Sequence, residues 1–177
     1  MFDLQVLGLS EAEVSISRNW PTCIVSAITL NQPFEKRGDH HLIIEVEDVH
    51  VKERRHATKE MMEAIFEHTK GLTSHDRLLV HCFAGQSRST AVAIGILIQH
   101  GLTAQEAFDE VARVRPMLIP NQLITSLVDA HFKLGGALDK IVGAHIVSAL
   151  RAPQRTEKVT GAQSAAMKKI MDLFSDD

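Results

Sequence analysis

Leu78-Leu79-Val80-His81-Cys82-Phe83-Ala84-Gly85-Gln86-Ser87-Arg88-Ser89-Thr90 is the stretch that decides how this chain reads. Leu78 to His81 is an apolar run of strand length. Ser89 to His100 is apolar nearly all round, which predicts a central buried helix stopped by Gly101. The residues between must turn the chain from a buried strand into a buried helix. Bent around one centre, they can aim successive backbone N–H groups inwards, and the helix start adds the positive end of its dipole. That makes an anion cradle with the thiol of Cys82 at its base. Gly85 lets the loop turn tightly with no side chain in the way. Arg88 can fork two N–H bonds onto two anion oxygens, which lysine cannot reproduce. The same surroundings favour thiolate, and comparable sites bring a cysteine pKa from near 8.5 to roughly 3.5–7.5.

Working outwards, Leu4–Leu7, Thr22–Ile28 and Leu42–Val46 are further short runs rich in Val, Ile and Leu that read as buried strands. Helical patterns lie between and after them. Met61, Met62, Ile65 and Phe66 share one face over residues 58–70. Thr103 and Glu106 have capping-box spacing ahead of a helix to about Arg113, and Pro120-Asn121 starts another that stops at Gly135-Gly136. The fold expected is α/β, with a small, mostly parallel central sheet of four to five strands flanked by helices. Residues 1–136 read as the catalytic domain. Residues 137–177 read as a helical extension with a linker near 151–161. In that extension Met167, Ile170, Met171 and Phe174 recur at helical spacing, for docking on their own domain or on a second chain.

Composition narrows the function. The 177 residues carry a net charge of −3, so no basic field invites nucleic acid. The longest apolar stretch, Ala91–Ile98, is too short for a membrane span, and the N-terminus lacks a signal-peptide pattern. Two cysteines are too few for a disulfide framework, so a cytoplasmic protein with free thiols is expected. Ten histidines include the adjacent His40 and His41, with His50 and His56 nearby. Neighbours on a strand face opposite ways and no structural zinc spacing is present, so no metal or other cofactor is expected.

The pattern His-Cys-x-x-Gly-x-Ser-Arg-Ser over residues 81–89, after a strand and before a helix, resembles the signature loop of the cysteine-dependent protein tyrosine phosphatases, in particular the dual-specificity type. The likeness runs from about Ile24 to Leu134. It is greatest to small bacterial predicted protein tyrosine phosphatases, whose Arg-Pro…Pro-Asn stretch is matched by Arg115-Pro116 and Pro120-Asn121. The resemblance implies a dual-specificity-phosphatase-like fold and a metal-independent phosphomonoester hydrolase. In it Cys82 is the nucleophile, Arg88 binds phosphate, and Ser89 stabilises the thiolate as leaving group. Phe83, Ala84, Gly85, Gln86 and Ser87 offer backbone amides, His81 orients the loop, and Asn121 supports it. An acid must also protonate the leaving oxygen. Asp48 matches best by type and position, with Glu47 and Glu45 still open because the spacing to Cys82 is longer than usual for the family.

The implied partner is a phosphorylated protein or a small aryl phosphate. A phosphoprotein-binding pseudophosphatase and rhodanese- or arsenate-type chemistry are the alternatives, and no oligomeric state is indicated. Cys23 reads as an apolar filler or as a resolving thiol for Cys82. Lys52-Glu53-Arg54-Arg55-His56 reads as a solvated helix approach or as a basic greeting for an anionic substrate.

Overall fold

Four strands, β1 (Asp3–Leu7), β2 (Cys23–Ile28), β3 (His41–Glu45) and β4 (Arg77–His81), lie in the order β1-β4-β2-β3 with every neighbour parallel. They belong to a computed structural model that describes residues 1–30, 34–49 and 56–151. The chain divides into a unit Met1–Val147 and a second, Ser148–Asp177, and the elements below belong to the first apart from the end of the last helix. Lys52–Arg55, His50, most of the 151–161 linker and the Met167–Phe174 pattern lie outside the described residues. Among those residues the sheet has four strands, within the four to five expected.

Both faces of the sheet are covered, and the central strand β2 is buried along its whole length. On one side lies α1 (Leu9–Ser17), where Ala12 meets Ile24 of β2 and Leu79 of β4. On the other side Val25, Ala27, Leu78 and Val80 face the main core. This core is closed by α2 (Lys59–Thr69), α3 (Arg88–Gln99), α4 (Ala104–Val114), α5 (Gln122–Phe132) and α6 (Ala137–Arg151). From α6, Leu138 and Val142 enter the same core, so the extension begins packed against the preceding helices.

The helix α3 runs beneath everything else, with every residue from Arg88 to Ile98 buried. Gly95 allows α5 to come this close, because a Cβ there would stand 2.8 Å from the Val128 side chain. The expected Thr103–Glu106 capping box opens α4, and the Asn121 side chain caps α5 by accepting from the Ile124 N–H at 3.2 Å. The first helix, α1, has no counterpart in the sequence reading. It buries only Ala12 and Ser15, and Val14 is exposed, so it presents no apolar stripe for a periodicity to reveal.

Candidate active site

In a parallel sheet a loop leaving the carboxyl end of a central strand opens into a crevice. The loop between β4 and α3 lies there. Cys82 is buried at its start, with its N–H 3.4 Å from the Leu7 carbonyl. The Gly85 N–H donates to Cys82 Sγ at 3.2 Å, and Ser89 Oγ, from the first turn of α3, lies 3.2 Å from the same sulfur. Gly85 takes a left-handed φ of 72°, and a Cβ there would stand 2.4 Å from the Gly8 nitrogen and 2.5 Å from the Leu7 carbonyl carbon. Only glycine fits.

The loop's carbonyls are held from outside. Leu9 N–H donates to Phe83 O and Ile119 N–H to Gln86 O, both at 2.9 Å, and Asn121 N–H donates to Ser87 O at 3.2 Å. Arg115 gives one guanidinium nitrogen to Ala84 O at 2.9 Å and another to Glu11 at 2.8 Å. The single Thr90 hydroxyl hydrogen is shared between Gln86 O, 2.7 Å from Oγ1, and Ser87 O, 2.8 Å from it. With the carbonyls drawn outwards, the concave side is left to amides, as an anion requires. Of these clamps, only the Arg-Pro…Pro-Asn resemblance touched Arg115 and Asn121. Leu9, Ile119 and Thr90 act through their positions in the fold and carry no sequence signal.

Arg88 is 3% exposed. One terminal nitrogen donates to Val46 O at 2.8 Å, which fixes the guanidinium plane, whereas its buried Nε has no hydrogen-bond partner among the described residues. A buried unpaired donor is costly, and an anion in the loop would satisfy it. Asp48 stands across the loop, its Oδ2 3.8 Å from Arg88 Nε. Its Oδ1 accepts from Ser87 Oγ at 2.6 Å and from Asn121 Nδ2 at 3.0 Å, while Asn121 Nδ2 also reaches Val49 O at 3.0 Å. Ser87 occupies the N-cap position of α3 but does not cap it, because its hydroxyl is turned to Asp48. Asn121 thus ties three things together: the helix start of α5, the loop carbonyl of Ser87 and the Asp48 carboxylate. Glu45 ends β3 exposed and makes no hydrogen bond to the loop among the described residues; Asp48 is the carboxylate hydrogen-bonded to the thiol's loop.

Behind Cys82, His81 is fully buried and its Nε2 lies 2.6 Å from Ser26 Oγ; burial pushes its pKa down to about 4, against an upward pull from the Cys82 main chain. Cys23 is buried at the other end of the sheet, paired with Leu78, four residues before Cys82. At about 3.3 Å per strand residue that is on the order of 13 Å, well past disulfide reach. Burial, with Asp76 nearby, pushes the Cys23 thiol up to about 11. The resolving-thiol reading fails on this geometry and the filler reading fits. A cavity of about 670 Å³ between α1 and the 34–40 segment includes none of the loop residues.

A thiol in an amide-lined loop with a buried arginine and a facing carboxylate, on a parallel α/β sheet, defines a cysteine-based phosphatase class. The family model for the dual specificity phosphatase catalytic domain matches residues 15–132. The chain belongs to that family. It is 36% identical over 98 residues to human dual specificity protein phosphatase 9, covering 53% of this chain and 25% of that protein. It is 42% identical over 45 residues to dual specificity protein phosphatase 1 of Arabidopsis thaliana, covering 25% of this chain and 23% of that one. The chain therefore spans about a quarter of the length of the curated relatives it matches. Among solved structures, Cydia pomonella PTP-2 phosphatase aligns with a TM-score of 0.56 at 25% identity, over 72% of this chain and 84% of that one. Human DUSP28 aligns with a TM-score of 0.53 at 26% identity, over 76% and 94%. Among the described residues, no helix is long and apolar enough to cross a membrane.

Proposed function

We propose that this chain hydrolyses phosphomonoesters through a phosphocysteine intermediate and needs no metal. The observation that carries the reading is the pairing of Cys82 Sγ, contacted at 3.2 Å by the Gly85 amide and by Ser89, with an Arg88 whose buried Nε has no hydrogen-bond partner among the described residues. The Cys82 thiolate attacks phosphorus, and the ester oxygen departs with a proton from Asp48. Water, giving its proton to Asp48, then attacks the phosphocysteine, and phosphate leaves. The restored thiolate takes the Ser89 hydroxyl's hydrogen bond. Throughout, Arg88 and the amides of Phe83 to Ser87 bear the charge on the phosphoryl oxygens. Asp48 is preferred to Glu47 and Glu45 because it shares hydrogen bonds with Ser87 and Asn121 at the loop itself.

The substrates proposed are phosphorylated proteins or small aryl phosphates, in the reducing cytoplasm. The catalytic part is assigned to residues 1–136 and the remainder to a helical extension. The test is hydrolysis of p-nitrophenyl phosphate with and without chelator, beside Cys82→Ser. Turnover should survive chelator, be blocked by vanadate and vanish in the variant. A wild-type chain that binds phosphopeptide but releases no phosphate would make it a binding module instead.

A further inference from the structure

Three buried side chains behind the nucleophile form a chain of hydrogen bonds whose direction can be deduced. His41 is 1% exposed, Ser26 and His81 not at all. The Arg37 N–H donates to His41 Nδ1 at 2.9 Å. A backbone N–H can only donate, so His41 Nδ1 carries a lone pair. Burial, with His81, His40, His68 and Lys36 around it, pushes the His41 pKa down to about 4, so the ring is neutral at pH 7 and its proton is on Nε2. That Nε2–H faces Ser26 Oγ at 2.7 Å and donates to it. The Ser26 hydroxyl then has one hydrogen to place, and the acceptor within reach is His81 Nε2 at 2.6 Å. If His81 also donated to Ser26, a buried hydroxyl hydrogen would be left without an acceptor, at a cost the first arrangement avoids. His81 therefore holds its proton on Nδ1, a buried nitrogen that has no hydrogen-bond partner among the described residues and so is unpaired in either arrangement.

We infer that Ser26 and His41 are positioning residues for the Cys82 loop, fixing through one directed relay (Arg37 N–H to His41, His41 to Ser26, Ser26 to His81) the tautomer and ring placement of His81, the residue that leads directly into Cys82. The Phe34 ring packs against both imidazoles, with centroids 4.6 Å from the His81 ring and 5.7 Å from that of His41. The inference deepens the proposed function, since it assumes that Cys82 is the nucleophile. None of the relay side chains touches the site where phosphate would sit.

The test uses the full chain with ¹⁵N-labelled histidine. In the wild type, the His81 nitrogens should report a proton on Nδ1 and a lone pair on Nε2. Ser26→Ala should move the proton to Nε2 or mix the tautomers, and should slow alkylation of Cys82 by iodoacetamide at pH 6 by about three- to tenfold, the worth of one neutral hydrogen bond. Ser26→Thr, which keeps the hydroxyl, should restore both readouts. His41→Phe, which leaves the Ser26 hydroxyl without its donor, should lie between the wild type and Ser26→Ala. Circular dichroism confirms that each variant is folded. A folded Ser26→Ala whose His81 tautomer and Cys82 alkylation rate match the wild type overturns the relay. Phosphatase turnover is read in the same samples. An inactive wild type whose alkylation still responds to Ser26 would sink the function and leave the relay; an active one that does not respond would do the reverse.

Discussion

Lowering the pH from 7 to 5 should weaken the fold through two groups, His41 and His81. Each is pushed from an ordinary pKa of 6.5 to about 4 in the folded chain, chiefly by burial. Between those values the unfolded chain binds a proton that the folded chain refuses. The stability is therefore complete above about pH 6.5 and drains away as the pH falls towards 4. For one imidazole with these two pKa values, the loss between pH 7 and pH 5 is about 2 kcal/mol. The pair together reaches about 4 kcal/mol, a large share of the roughly 5–15 kcal/mol that holds a domain folded. Urea unfolding at pH 7, 6 and 5 measures it directly. The wild type should lose most of that amount, and His41→Phe should lose only about half as much over the same interval. Stability constant to within 1 kcal/mol across the interval, or an undiminished slope in His41→Phe, would refute the reasoning, because the buried imidazoles would then not be the neutral groups on which the Ser26 network depends.

Two further outcomes bear on the site. Gly85→Ala places a side chain at φ 72° and a Cβ 2.4 Å from the Gly8 nitrogen, so the loop must shift; kcat/KM should fall about 100-fold or more, and unaltered kinetics would show that the loop is not held as described. Asp48→Asn should lower turnover by roughly 10²–10⁴-fold, with the larger loss on poor leaving groups and a flattened alkaline limb in the pH–rate profile. If Glu47→Gln or Glu45→Gln does this instead, the acid is misassigned.

The β4–loop–α3 unit was legible because one short segment carries all its cues: a strand-length apolar run, a cysteine, a glycine at the tight turn and a helix apolar on every side. The other strands and the helices of the main core were legible by periodicity. What stayed hidden is non-local or unpatterned. α1 buries small residues, and Ala12 and Ser15 give no stripe. Ser26 meets His41 across 15 residues and His81 across 55, and nothing at any of the three positions signals the others. Asp48 could be placed after β3, yet only its bonds to Ser87 and Asn121, 39 and 73 residues away, separate it from the neighbouring glutamates. The fate of Cys23 depended on strand register. Strand-like residues 22–28 gave its location but not which end of β4 it would face.

The outward-clamped carbonyls of the 82–88 loop separate two kinds of evolutionary freedom. Under the proposed function the loop's peptide groups and Arg88 supply the affinity for charge, so the side chains at 83, 84 and 86 are not needed for it. Phe83 is 62% exposed and Ala84 is exposed as well, so neither is held by the interior. Exchanging them would alter what the rim greets while the ring of amides stayed in place, whereas position 85 admits no such exchange. Under the proposed function, selection on which esters are admitted can therefore act at positions 83, 84 and 86 without disturbing the reaction, one side chain at a time.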